Sequence, residues 1–332
     1  MGLLSWGKKT DGPAVSVLVP TYNVERFLPQ CLDSLKSQTL SNIEFICIND
    51  GSTDGSLDIM RRYAADDPRF KIIDKPNSGY GASMNRGLDE ARGEYIGIVE
   101  SDDFASPNMF EKMYKFASRH NCDLVKSNYF EYDSNGDHLM KPFDGFKYKR
   151  VFDPTDNKEI IKKLPIIWAA LYRREKLVNN NIRFNETPGA SFQDTSFVHR
   201  VWFAARRAAI LEDAFLHYRV DNSGSSVKST AKVYEVCGEF ALTERFLRED
   251  RTRFGEFAPL LNAIKLDTYR WNYNRIAIDC REEFVERWAE EFTAARDEGT
   301  LQKSLFNEYD WGIVQELLAD PHAFFEKYKE AL

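Results

Sequence analysis

The chain is 332 residues long with 43% hydrophobic, 14% aromatic and 29% charged side chains, which suits one large packed domain or two and excludes a low-complexity protein. Its net charge of −7 lies in the last third, where residues 232–332 carry 14 Lys and Arg against 21 Asp and Glu. That distribution excludes a nucleic-acid-binding tail or a polybasic membrane patch in the C-terminal region.

The opening "MGLLSWGKK" has neither the order of a secretion signal nor the hydroxyl placement of a myristoylation site, so residues 1–13 are expected to form a flexible tail. No apolar run approaches the roughly 20 residues a membrane span needs. The five cysteines are widely spaced and include no CxxC pair, which indicates neither a zinc site nor a disulfide framework and fits a reducing, cytoplasmic compartment.

Strand-like and helix-like segments alternate over the first 130 residues. "VSVLVP" (15–20), "IEFICIN" (43–49), "FKIID" (70–74), "YIGIV" (95–99) and "DLVKSNYF" (123–130) read as strands, with helices near 25–38, 55–66, 81–92 and 107–120. Such alternation predicts βαβ units, a mostly parallel sheet flanked by helices, and ligands at the carboxyl ends of the strands. Residues 131–160 read as an irregular excursion. "PIIWAALY" (165–172) follows as a strand, "DTSFVHRVWFAAR" (194–206) as a helix and "AILEDAFLHYRV" (209–220) as a strand. From about residue 230 the pattern is helical only, and the Ser/Gly-rich "DNSGSSVKST" (221–230) marks the expected boundary between a catalytic domain over 14–226 and a helical accessory domain over 230–332.

Three strand ends are polar. "PTYN" (20–23) is an ordinary turn or a platform in which Tyr22 faces a nucleobase and Asn23 with Glu25 supplies polar edges. "NDGSTDGS" (49–56) is a helix cap, yet it holds Asp50 and Asp54 where a cap needs one side chain, and Asp50 could accept the imide N–H of a uracil or thymine. "NSGYGASMNRG" (77–87) offers Gly79 and Gly81, which support only a glycine-rich helix entry near phosphates. "ESDD" (100–103) places Glu100, Asp102 and Asp103 directly after an apolar strand. Adjacent carboxylates repel, and a helix cap explains one acid rather than three; a hard divalent cation, Mg²⁺ or Mn²⁺, completed by a diphosphate, explains the cluster. Asp194 opens a predicted helix, His217 is a candidate third metal ligand, and Arg219 a candidate diphosphate clamp. Trp168 is a core residue or a stacking surface.

In order and spacing, these segments resemble the family 2 glycosyltransferases, inverting enzymes of GT-A fold that build bacterial polysaccharides. The resemblance runs over about residues 14–226 through "VSVLVPTYN", "INDGSTDGS", "GYGASMNRGLDEARGEYIGIVESDDF", "PGASFQDTSF" and "HYRVDNSGSS". It implies a nucleotide-sugar, uridine or thymidine, on Pro20, Thr21, Tyr22, Asn23, Glu25, Asp50, Ser52, Asp54, Asn77, Gly79, Asn85, Glu100, Ser101, Asp102 and Arg219. It also implies a metal on Asp102, Asp103 and His217, an acceptor near Trp168 and Gln193, and Asp194 as catalytic base. Glu100 stands where the usual D-x-D begins, and Met84 where relatives often carry Arg. The expected partners are a nucleotide-sugar donor and a glycan or lipid-linked acceptor, with no nucleic acid. Peripheral contact with the inner membrane surface and self-association through the C-terminal helices are compatible with this reading. A sugar-nucleotide pyrophosphorylase and a non-catalytic nucleotide-sugar-binding scaffold are the alternatives.

Overall fold

The computed structural model describes residues 12–222 and 232–332, so the N-terminal tail and most of the 221–230 boundary segment lie outside the described residues. The chain divides into two compact units, one of residues 1–189 with 204–223 and the other of residues 190–203 with 224–332.

The first unit is built on a sheet of order β3-β2-β1-β4-β8-β6-β9-β5, with β7 paired to β6. Strands β1 (Val15–Thr21) and β2 (Ile43–Asp50) are buried along their whole length, as strands with both faces covered must be. They run parallel to each other, to β3 (Phe70–Lys75) and to β4 (Tyr95–Ile98). The crossovers are α1 (Leu28–Lys36), α2 (Ser56–Asp66) and α3 (Tyr80–Glu90). Because β1 pairs with β2 on one side and β4 on the other, the chain reverses direction across the sheet at β1, and the loops after these strands part there to leave a crevice. The register, Thr21 opposite Asn49 and Leu18 opposite Ile98, sets the loops after all three strands at that edge.

The far half of the sheet is mixed. A two-residue strand β5 (Phe104–Ala105) leads to α4 (Met109–Arg119) and then β6 (Leu124–Asp133), which turns tightly into β7 (Gly136–Met140). Strand β8 (Ala170–Arg173) is antiparallel to both β4 and β6, and a short α5 (Arg174–Asn179) follows it. Long β9 (Ala208–Arg219) runs parallel to β6 and antiparallel to β5, so its end lies beside the acidic segment.

In the second unit, α6 (Gln193–Ala204) buries every residue from Thr195 to Phe203. The helices α7 (Glu235–Arg248), α8 (Arg251–Arg275), α9 (Arg281–Asp297), α10 (Glu308–Ala319) and α11 (Pro321–Tyr328) follow. Asp250 caps α8, Asn307 caps α10 and Asp320 caps α11, each accepting from backbone N–H groups of the first turn. The core of these helices is aromatic: Trp288, fully buried, meets Tyr269, Phe292 and Phe324 edge to face. No helix among the described residues is long and apolar enough to cross a membrane.

Candidate active site

The loops after β1 and β2 are stitched together. The Asn23 N–H donates to Ser52 Oγ (3.1 Å), and Asn23 Oδ1 accepts from the Thr53 N–H (2.7 Å). Glu25 and Asp54 repeat the exchange, with the Glu25 N–H on Asp54 Oδ2 at 3.0 Å and the Gly55 N–H on Glu25 Oε2 at 2.6 Å. Asn23 takes a φ of +50°, which Asn tolerates and which turns the loop toward its neighbour. Burial works to raise the Asp54 pKa, but hydrogen bonds from Ser56 and the Glu25 N–H hold it below the ordinary value. Tyr22 is left 51% exposed beside this frame. Pro20 and Thr21 are buried at the end of β1, while Asn77 is exposed in the loop before α3.

Asp50 is buried at the end of β2 and gathers the loop before α3. Its Oδ1 accepts from the Ser78 N–H (2.9 Å) and from Lys75, and its Oδ2 from the Gly79 N–H (3.0 Å). The carboxylate therefore sits where sequence placed it, held by three donors of its own chain.

The acidic segment leaves β4 and is fastened by β5 and by Arg219. The Arg219 N–H donates to Asp103 Oδ1 (2.8 Å) and its Nε to the Asp102 carbonyl (2.9 Å). A further guanidinium nitrogen reaches Gln30, and the plane lies between the rings of Phe27 and Tyr132. Asp102 is half-buried, with Oδ2 accepting from Asn222 at 2.8 Å. Asp103 is 1% exposed, and its Oδ2 has no hydrogen-bond partner among the described residues. Burial first, then the neighbouring Asp102 charge, pushes its pKa well above the carboxylate range, against the pull of the Arg219 N–H. Ser101 is buried between these acids.

A buried carboxylate oxygen without a donor, next to a second acid, fits a hard cation. Among the described residues no group of three or more His, Cys, Asp or Glu is gathered to hold a metal, so the fit is that of two acids whose remaining ligands come from elsewhere.

Several expected contacts turn out to be internal. His217 is stacked between Phe104 (4.3 Å) and Phe130 (4.9 Å), with Nε2 on Ser106 and Nδ1 on Asp137, so both ring nitrogens are engaged and neither is offered to a metal. Arg219 is 8% exposed and its backbone and guanidinium are engaged with the acidic segment. Asn85 is buried and binds the backbone of Phe184 through both ends of its amide (3.0 and 2.8 Å), so it pins a neighbouring segment. Trp168 stacks on Tyr218 and lies edge-on to Tyr129, which covers one face of its ring. Gln193 is 2% exposed, its Oε1 accepting from the Ser191 N–H at the entry to α6.

Asp194, in the first turn of α6, accepts from the Thr195 N–H at 2.8 Å. Burial raises its pKa from the ordinary 3.8 to about 6, only partly offset by that hydrogen bond. This is a carboxylate ionised at neutral pH yet more basic than a surface one, the property a general base needs.

Two further residues carried no sequence signal. Tyr80 donates its hydroxyl to Glu100 Oε1 at 2.7 Å. Lys126, fully buried in β6, donates to the Ile166 carbonyl, and Tyr172 donates to that of Ile167, so the segment leading to Trp168 is held from beneath. An apolar strand hides such a lysine, and only the pairing of β6 with β8 reveals its use.

Residues 16–180 match the family model described as glycosyl transferase family 2. Over 269 residues, 76% of each chain, the sequence is 36% identical to EpsH of Bacillus subtilis, a glycosyltransferase by name. The chain belongs to the family 2 glycosyltransferases. This glycosyltransferase is also 31% identical over 224 residues to GlyG of Streptococcus pneumoniae, covering 65% of the chain and 73% of GlyG. A crystal structure of S. aureus TarS residues 1–349 in complex with UDP-GlcNAc superposes with a TM-score of 0.80 at 19% identity, over 95% of this chain and 90% of that one. A mannosyltransferase from Pyrobaculum calidifontis, in complex with GDP-Man and Mn²⁺, gives 0.57 at 18% identity over 97% and 89%. The fold is GT-A, with a C-terminal helical region.

Proposed function

We propose that this glycosyltransferase moves a sugar from a UDP-sugar to a hydroxyl of a glycan or lipid-linked acceptor, with inversion, in the synthesis of a bacterial cell-surface polysaccharide. The observation that carries the reading is the pair Asp102 and Asp103 at the end of β4, with Asp103 Oδ2 buried and unpartnered. The donor class follows TarS, whose complexes contain UDP or UDP-GlcNAc. The polysaccharide setting is suggested by a 31% identical relative named as a minor teichoic acid biosynthesis protein, GgaB of B. subtilis.

Asp102 and Asp103 would hold Mn²⁺ or Mg²⁺, as the Mn²⁺ complex of the Pyrobaculum enzyme supports. Bound there, the ion supplies Lewis-acid neutralisation of the charge that grows on the departing diphosphate. Tyr22 offers a flat face to the base, and Asp50 accepts its imide N–H. Asp194 takes the proton of the acceptor hydroxyl as the oxygen attacks the anomeric carbon. The bond from that carbon to the diphosphate oxygen breaks on the opposite side, the nucleoside diphosphate leaves with the electron pair, and one displacement inverts the centre. The catalytic domain is proposed over residues 14–226 and the accessory domain over 230–332, working in the cytoplasm or at the inner face of the membrane.

The test is incubation with a panel of nucleotide-sugars, Mn²⁺ and candidate acceptors, following free nucleoside diphosphate. Release of UDP with a glycosylated product is expected. Turnover that requires pyrophosphate and yields a nucleoside triphosphate would identify a pyrophosphorylase instead, and binding without turnover a scaffold.

A further inference from the structure

The segment that leads into α6 belongs with α8 to the second unit, and the two meet through a strained aromatic residue. Phe192, two positions before Asp194, takes a φ of +61°, a conformation that a bulky side chain rarely adopts. The turn sets its ring edge-on to Trp271 of α8, with centroids 5.6 Å apart and planes at 84°. Arg275, one turn further along α8, completes the group, its guanidinium 4.9 Å from the centre of each ring. Trp271 is nonetheless 47% exposed, whereas Trp288 in the same helices is fully buried. A lone open indole is ordinary on a protein surface. The charges beside this one are not.

Two cations are held together at the same place. Lys232 Nζ donates to the Ala190 carbonyl at 2.6 Å, which ties it to the segment before Phe192. The Arg275 guanidinium donates to the Lys232 carbonyl at 3.3 Å and to Asn272 Oδ1 at 3.0 Å. Burial holds the Lys232 pKa below its ordinary value; the Glu235 carboxylate works against this, and the Arg275 charge adds to it. Burial lowers Arg275 as well, again against Glu235. Residues 232–332 carry 21 acids against 14 bases, yet Lys232 forms no ion pair among the described residues. Like charges brought together out of bulk water cost free energy, which a bound anion would offset.

We propose that Trp271, Phe192, Arg275 and Lys232 form an acceptor subsite for a sugar ring that bears a phosphate ester. The inference rests on the assignment of Asp194 as base, since a group beside the residue that deprotonates the acceptor hydroxyl lies against the acceptor. The open indole covers the apolar face of the ring, and the two cations take the phosphate oxygens through charge-assisted hydrogen bonds. The phosphate belongs either to a diester within the growing polymer or to the diphosphate of a lipid carrier, and the chemistry recognised is the same.

Titration calorimetry on the full chain, with Mg²⁺ and UDP present, tests this with four probes: methyl glucoside, its 6-phosphate, the glycerol phosphodiester of glucose, and glucose on a short-chain prenyl diphosphate. The phosphorylated probes should bind roughly tenfold or more tightly than methyl glucoside, the worth of a hydrogen bond between charged groups, and salt should shrink the advantage. The tighter of the diester and the lipid diphosphate identifies the source. Lys232→Gln should cut the phosphate advantage severalfold, and Trp271→Ala should weaken every probe alike, both with UDP affinity and melting temperature near wild type. An unchanged advantage in Lys232→Gln would overturn the proposal. So would inorganic phosphate binding as tightly as the sugar phosphates, or a loss of UDP affinity in Lys232→Gln, which would put the cations against the donor. Wild type that binds UDP but treats the four probes alike refutes the subsite alone, whereas wild type that fails to bind UDP refutes the donor reading and the inference with it.

Discussion

Replacing Asp194 by Asn should make the protein more stable and almost inactive, and the two effects have one source. The carboxyl has an ordinary pKa of 3.8 when unfolded and about 6 when folded, because burial penalises its charge. Below the unfolded value it is neutral in both states and costs nothing. As pH rises, the unfolded chain ionises first, and stability falls until the folded pKa is passed. Above about 6 the loss is complete, and a gap of roughly two pKa units corresponds to about 3 kcal/mol as a ceiling. Asn keeps the oxygen that accepts from the Thr195 N–H at 2.8 Å and removes the charge, so it recovers most of that loss. Urea unfolding of both proteins at pH 5 and pH 8 should show a difference that grows with pH, to about 2 kcal/mol or more in favour of the variant. Over the same variant, transfer should slow by roughly 10²–10⁴-fold while UDP affinity persists. Wild-type transfer itself should rise with pH through about 6 and level off above it, as the base ionises. A stability difference that does not change between pH 5 and 8 would refute the desolvated carboxylate. Near wild-type transfer by the folded variant would refute the base.

Removing the metal or its acid should abolish tight donor binding: calorimetry should show UDP affinity falling at least tenfold with EDTA and again in Asp102→Ala, and equal binding with and without metal would contradict the assignment. Arg219→Lys keeps a positive charge but loses the fork that joins the Asp102 carbonyl to Gln30, so kcat/KM should fall by about tenfold or more, with a raised Mn²⁺ requirement; an unchanged Mn²⁺ dependence would show that the guanidinium does not position the acids. Trp288→Ala removes the fully buried ring of the helical core and should cost about 3–5 kcal/mol in urea unfolding, and a cost under 1 kcal/mol would show that the cavity refills.

Sequence reading carried furthest where each residue acts close to its own place in the chain. The strands β1, β2 and β4 announce themselves as apolar runs because both their faces are covered, and their polar ends mark the crevice because a parallel sheet points all its carboxyl ends one way. The helices from α7 onward show the spacing of one buried face, so their type could be read although their number, ends and packing could not. The excursion over 131–160 was harder. There β6 runs on to Asp133 and turns into β7, because pairing with a neighbour stabilises a strand whose own residues give only turn signals.

Residue types and spacing by themselves indicated the sheet and the cluster of acids after β4, while the family and the candidate base at the start of α6 came from the resemblance those motifs carry in their order. They could not say which polar groups face a ligand and which face the protein, since a side chain's hydrogen-bond partner is chosen by distance in space. His217 and Arg219 sit two residues apart at the end of β9, and both read as ligand contacts. Pairing of β9 with β5 puts the imidazole between two phenyl rings and the guanidinium against the backbone of the acids. The resemblance puts Asn85 on the nucleotide-sugar, but a backbone 99 positions away takes its amide. Tyr80 and Glu100 lie 20 residues apart with no pattern between them, and their bond exists only because β4 and the start of α3 converge there. Local chemistry is written in the chain. Partnership across it is decided by the fold, because a buried polar group must pair with whatever donor or acceptor the packing brings within about 3 Å.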